Sequence, residues 1–322
     1  MVQFIGRCGS NPKRSLLIMP LRFGLTALDF QSTAQQVIVN GIPDFSRLNV
    51  VDTIRDVAAE GYSVMEFSMD AKYILDSVFT PESISQLEDL KDELKLSYTI
   101  HLPFWSIELA TFNEPVRKGS IKSIVECINL VKRLEPETYV LHATGNLAAD
   151  FSALPYSEDM VRLICILLSE FSMGSVEEII TKTEIESRKL AIENCIFPFD
   201  ITREMIDDLD TSICFDTAHL LTRMSGKESV IEFYKNHSDR ITEIHLQDGT
   251  YREYDGAIAR DDHLPLGRGI MGDEVLGAFL LALVKDNFSG PIIFELTKAE
   301  ARESLNHIKT IVPKVLSQQD CK

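Results

Sequence analysis

Six short apolar runs of this chain end on a residue that can ligate a metal or move a proton. SYTIH ends on His101, TYVLH on His142, LAIE on Glu193, SICFD on Asp216, ITEIH on His245 and PIIFE on Glu295. His219 follows Asp216 by three residues in FDTAH, and Asp261 and His263 form a D-x-H pair in DDHLPLGRG. Carboxylate and imidazole together, with no thiolate, suit Zn²⁺, Mn²⁺, Fe²⁺ or Co²⁺ better than Ca²⁺ or a structural zinc, which points to catalytic chemistry. Any one of these residues fits a helix cap or a solvated loop equally well. Their recurrence is the signal: five of the seven histidines lie at run ends or just after them, and only His237 and His307 fall within helical segments, as structural residues. Four carboxylates and five histidines packed into one mouth would repel and desolvate one another at high cost, and a divalent cation removes that cost.

The elements that must position these residues alternate along the chain. RFGLTAL reads as a strand, and Asn49 can cap the helix VVDTIRDVAAE, whose Val51, Ile54, Val57 and Ala58 share a face before Gly61. Pro81 can open a second helix before SYTIHLPF, and the same rhythm continues to PIIFELT and a last helix over KAEARESLNHIKTIV. SEDMVRLICILLSEF and SVEEIITKTEIESR read as two separate helical segments. About eight β-then-α units imply parallel strands with right-handed crossovers, closed as an α/β (β/α)₈ TIM barrel rather than an open sheet. No GxGxxG follows the first strand, which removes the usual sign of a dinucleotide-binding sheet. The expected organisation is one domain over residues 21–322 with an N-terminal arm over 1–20; Gln31 to Leu48 fits no unit of the repeat. In such a barrel the C-terminal strand ends converge on one face, so the six run-end residues share one space.

Composition narrows the partners. With 45% hydrophobic and 25% charged residues in 322, the chain is that of a globular protein, and no apolar run approaches the roughly 20 residues that span a bilayer. The N-terminus lacks the apolar core and cleavage site of a secretion signal, so the expected location is cytoplasmic. Cys8, Cys127, Cys165, Cys195, Cys214 and Cys321 are scattered without a CxxC pair, as buried thiols of a reducing compartment. A formal charge of −17, with basic residues dispersed among acidic ones, disfavours an extended nucleic-acid track.

FDTAH, EIHLQD, DDHLPLGRG and FEL resemble the xylose-isomerase-like, or endonuclease-IV-like, metal-dependent TIM barrels of the AP endonuclease 2 superfamily, over roughly Arg22 to Val312. The epimerase and isomerase branch is matched through Glu193, Asp216, His245 and Glu295, which there hold one Mn²⁺-type ion. The endonuclease branch, with three zinc ions, is matched through His101, His142, Glu193, Asp216, His219, His245, Asp261, His263 and Glu295. A one-metal isomerase does not require His101, His142 or the D-x-H pair. The resemblance therefore implies a phosphodiester hydrolase holding up to three Zn²⁺, with Glu193 bridging two metals. Three divalent ions against four carboxylates would leave a pocket of about +2, attractive to a phosphoester. The alternative is a sugar isomerase or epimerase with one divalent metal, Mn²⁺ among the choices, and Glu193 and Glu295 as its acid/base pair. The implied substrate is a small or cofactor-like phosphoester. SYTIHLP and RLEPETYVLH resemble the cobamide-remodelling phosphodiesterases, which cleave the nucleotide loop of such cofactors.

Three further residues have both a functional and a plain reading. Trp105 can stack on a ligand ring or simply pack, Asp248 can orient a ligand or turn the chain, and Arg268 can meet a phosphate or remain in water.

Overall fold

A strand buried on both faces needs a closed or covered sheet, and here the sheet closes on itself. The computed structural model describes residues 21–28, 30–75, 78–254 and 257–316. Its barrel strands are β1 (Arg22–Ala27), β2 (Val64–Ser68), β3 (Ser97–His101), β4 (Tyr139–Leu141), β5 (Leu190–Glu193), β6 (Ser212–Asp216), β7 (Ile241–His245) and β8 (Pro291–Phe294). Each pairs in parallel with its sequence neighbours, and β1 closes the ring against β8, with Phe23 opposite Ile292 and Gly24 opposite Ile293. The chain is thus a (β/α)₈ barrel, as its alternation implies. Residues 1–20, expected to form an arm, lie outside the described residues, as do Cys8 and Cys321.

The helices form where capping and periodicity place them. Asn49 accepts the N–H groups of Val51 and Asp52 at 2.9 and 3.2 Å, opening Val50–Ala59, which buries Val50, Ile54 and Val57. Thr80 caps Pro81–Leu94 with the proline in its first turn. One expectation is corrected: the two segments anticipated around residues 157–188 form a single helix, Glu158–Thr183. It runs on through Gly174, whose cost in a helix is about 1 kcal/mol, and the neighbouring hydroxyls tie it to the barrel loops. Ser172 Oγ donates to the Ala143 carbonyl at 2.6 Å and Ser175 Oγ to the Leu109 carbonyl at 2.7 Å.

Two insertions crowd the C-terminal face. The stretch that fits no repeat unit is a helix, Phe30–Val37, followed by a two-stranded hairpin of Ile38–Val39 and Ile42–Pro43. Asn40 and Gly41, with φ of 53° and 79°, make the tight turn for which an Asn-Gly pair is suited. The second insertion follows β7, an antiparallel hairpin of Asp248–Tyr254 and Ala257–Leu264 that carries Asp261 and His263. Cys127, Cys165 and Cys214 are buried free thiols, and no described helix is long and apolar enough to cross a membrane.

Barrel closure depends on a close approach at Gly24, where a Cβ would lie 2.6 Å from both the Val64 carbonyl oxygen and Ile293 Cδ1. Gly24→Ala is expected to cost about 1–3 kcal/mol through forced separation of β1 from its neighbours. Urea denaturation of the two proteins measures it, and coincident midpoints would show that the seam is looser than its register implies.

Candidate metal centre

Glu193, the last residue of β5, stands at the centre of the barrel mouth, 3% exposed. One of its oxygens, Oε2, faces His142 Nε2 at 2.8 Å and His101 Nε2 at 3.3 Å. The other, Oε1, faces His219 Nδ1 at 3.2 Å and His245 Nδ1 at 3.5 Å. Four imidazoles from four different strand ends or following turns therefore surround a single carboxylate. This convergence is what the strand-end residues of a parallel barrel provide.

A second cluster forms on the His245 side. His245 Nδ1 lies 3.1 Å from Glu295 Oε2 and 3.9 Å from Asp216 Oδ2. His263 reaches in from the second hairpin, with Nε2 3.4 Å from Glu295 Oε2. Asp216 also caps the turn that carries His219, its Oδ1 accepting the His219 N–H at 2.7 Å, so FDTAH builds both ligand positions with one residue. Four groups have donor atoms within 4.8 Å of one another and could each hold one ion: His101, His142 and Glu193; Glu193, Cys195 and His219; Glu193, Asp216, His245 and Glu295; and Glu66, Glu243 and His245.

Two important residues carry no ligand signature in the sequence. Gln247 donates from Nε2 to Asp216 at 2.8 Å and to Glu295 at 3.1 Å, while its Oε1 accepts the Glu295 N–H at 3.0 Å. It fixes two carboxylates of the second cluster. Glu66, fully buried in β2, lies 3.3 Å from His245 Nε2 and accepts the Thr26 hydroxyl at 2.8 Å. That leaves His245 Nδ1 to point at the cluster, the arrangement that orients metal-ligating histidines.

The remaining expectations separate cleanly. Asp261 is exposed on its hairpin strand opposite Thr250 and does not join the cluster. Its neighbour Asp262 does, with Oδ1 3.0 Å from His263 Nδ1 and Oδ2 3.9 Å from His219 Nε2. Asp248 orients no ligand: its carboxylate accepts the N–H groups of Gly249, Gly267, Gly269 and Met271, holding the loop after the hairpin. A Cβ on Gly269 would lie 2.2 Å from Asp248 Oδ1, so that cradle requires glycine. Arg268 makes a bidentate surface pair with Glu303 at 2.8 and 2.6 Å. His237 and His307 bond Arg203 and Asp273, away from the mouth, as structural residues should.

Burial and close charges shift the titration of the site's groups in opposite directions. Burial raises Asp216 to about 6, with Glu193 and Glu295 adding to the rise against the pull of His219. Deeper in the barrel, burial and the neighbouring Glu66 push Glu243 up to about 8 against the pull of His245. Burial acts to lower His101 and His219, but the carboxylates outweigh it and both imidazoles reach about 9. Burial would raise Glu193 and Glu295, yet the imidazoles hold both well below the usual carboxylate range. Two buried ring nitrogens, His219 Nδ1 and His245 Nδ1, face carboxylate oxygens but lack hydrogen-bond geometry to any of them. Nitrogens and oxygens aimed at common points rather than at each other fit a divalent cation.

A family model described as a xylose isomerase-like TIM barrel matches residues 54–311. An uncharacterized protein of Methanocaldococcus jannaschii is 25% identical over 268 residues, 80% of this chain and 78% of that one. Among solved structures, a D-tagatose 3-epimerase-like protein superimposes with a TM-score of 0.64 at 20% identity, over 92% of this chain and 98% of its own. Endonuclease IV from Thermus thermophilus superimposes with a TM-score of 0.62 at 14% identity, over 91% and 99%. At these identities the two structures share the fold.

Removing the Gln247 amide should loosen the second cluster without touching a donor atom. Gln247→Leu is expected to weaken divalent-metal affinity roughly 10- to 100-fold with the circular dichroism spectrum unchanged; unchanged affinity would remove Gln247 from the site. A pH effect also follows. Carboxylate neighbours raise His101 and His219 to about 9, so a divalent ion binding there would have to displace their protons. Affinity should therefore climb from about pH 6.5 to 9 with proton release. The stability of the metal-free protein runs the other way: these raised pKa values stabilise it fully below about 6.5, and that contribution is lost as the pH rises through 9. Chelator competition across the range measures the affinity, and a curve flat above about pH 7 would contradict the assignment.

Proposed function

The chain belongs to the xylose isomerase-like TIM-barrel family, and within that family we propose that it is a phosphodiester hydrolase using more than one divalent metal ion. The observation that carries this reading is the shared carboxylate: Glu193 belongs both to the His101–His142 group and to the Asp216–His245–Glu295 group. A single-ion isomerase has no use for the first group. The predominance of imidazole and carboxylate donors makes Zn²⁺ the favoured ion. Metal ions held there would supply Lewis-acid charge to phosphoryl oxygens and lower the pKa of a bound water.

The chain's own residues divide the remaining work. Glu193, kept ionised by its four imidazoles, presents one oxygen to each group of donors and can orient a water between them. Glu295 and Asp216 are held in place by Gln247, and Asp262 steers His263 at the rim. His263, with 43% of its side chain exposed, stands where a substrate oxygen would arrive. A cavity of about 260 Å³ over these residues suits one phosphoester group rather than a duplex, in keeping with the charge of −17. The substrate class is a small or cofactor-like phosphodiester, the nucleotide loop of a cobamide being the specific candidate. A second reading rests on the completeness of Glu193, Asp216, His245 and Glu295 as a one-ion set, which suits a sugar epimerase with Glu193 and Glu295 moving the proton.

His142 separates the two readings because it serves only the first group. His142→Ala is expected to lower zinc-dependent hydrolysis of bis(p-nitrophenyl) phosphate by roughly 100-fold or more, and Glu193→Gln to abolish it. Ketose 3-epimerisation with Mn²⁺, retained in His142→Ala, would favour the epimerase and overturn the hydrolase.

A further inference from the structure

The metal centre opens sideways into a second cavity of about 380 Å³ that the reaction chemistry does not use. His101, His263, Glu295 and Phe104 line both cavities, so a molecule seated at the metals continues directly into the second. It is more apolar than the first. One wall is the segment that fits no barrel unit, contributing Val37 and Leu48, both buried, and Phe45, 47% exposed. The other wall carries Ile74, Phe104 and Trp105, with Ile74 50% and Trp105 47% exposed.

Among the described residues no lysine or arginine lines this cavity, so away from His101 and His263 it offers no cation to a phosphate. Most of its polar groups are already engaged. Asp70 accepts the N–H groups of Phe104 and Trp105, both at 3.2 Å, which holds the loop that bears the two rings. Thr26 donates to Glu66 at 2.8 Å. Of the buried polar atoms in its walls away from the metals, Thr33 Oγ1 has no hydrogen-bond partner among the described residues, a poor match to the several hydroxyls of a sugar chain. Volume, flat aromatic surface and scarce polar partners together select a planar ring system, and 380 Å³ lies in the range that holds organic ligands.

We propose that this cavity is a subsite for an uncharged aromatic ring of the substrate, with Trp105 as its stacking face and Thr33 meeting one heteroatom at the ring edge. The inference rests on the phosphoester reading for where the rest of the substrate lies. It assigns the Phe30–Leu48 segment the role of specificity wall. The substrate is then a phosphoester joined through a short linkage to an aromatic base or similar ring.

Trp105 is the single tryptophan of the chain, so its emission reports this cavity without labelling. The zinc-loaded protein is titrated with 1-naphthyl phosphate, 1-naphthol and inorganic phosphate, following Trp105 fluorescence and calorimetry, in parallel with Ile74→Asp. Ile74 is half-exposed, so the variant should fold, and its carboxylate enters the cavity wall. The expected result is quenching by both naphthyl compounds, with 1-naphthyl phosphate binding about tenfold or more tightly than inorganic phosphate, about 1.4 kcal/mol. Ile74→Asp should remove that advantage and leave inorganic phosphate unaffected. If 1-naphthol binds as well as its phosphate and Ile74→Asp weakens both, the ring subsite stands while the phosphoester reading fails. Unmoved Trp105 emission, or naphthyl affinity indifferent to Ile74→Asp, would overturn the subsite.

Discussion

A buried carboxylate among four imidazoles is the contact on which this molecule turns. Glu193 sits at the barrel mouth with almost no access to water, and its desolvation is offset by the rings of His101, His142, His219 and His245. Those rings come from β3, the residue just after β4, the turn after β6, and β7. A closed parallel barrel is the economical way to bring four such distant positions within reach of one another, because every strand ends on the same face. Barrel closure at Gly24 and the packing of the helices thus serve the position of one side chain.

Charge then explains the layers around it. Glu66, Asp216, Glu243 and Glu295 would repel one another if all were ionised without compensation, and burial, with neighbouring carboxylates adding to it, raises Asp216 and Glu243. Gln247 and Glu66 do not neutralise this excess; they aim it. One holds Asp216 and Glu295, the other holds His245 by its far nitrogen. The result is a set of donor atoms converging on one mouth, beside a largely apolar cavity.

Strand-end residues were legible in the sequence because a barrel strand is apolar on both faces, so a terminal His or Glu interrupts an otherwise continuous run. The same reasoning passes over Glu66, which lies inside VMEFS and reads like the outward residue of an amphipathic strand. It passes over Gln247 as well, since an amide is not a metal-binding type. The structure splits the D-x-H pair: Asp261 is exposed and Asp262 meets His263, in a hairpin whose register is irregular between Asp248 and Thr250. Spacing alone cannot reveal a bulge. The Asn40-Gly41 turn was a readable hairpin signal, yet the role of its segment as a cavity wall depends on contacts across the barrel mouth.

The central claim is that Glu193 is shared between two metal positions, and anomalous diffraction at the zinc edge from crystals of the zinc-loaded protein tests it most directly. The account predicts at least two peaks about 3.5–4 Å apart on either side of Glu193, one bounded by His101 and His142. A single peak among Glu193, Asp216, His245 and Glu295, with His101 and His142 bound to no metal, would contradict it.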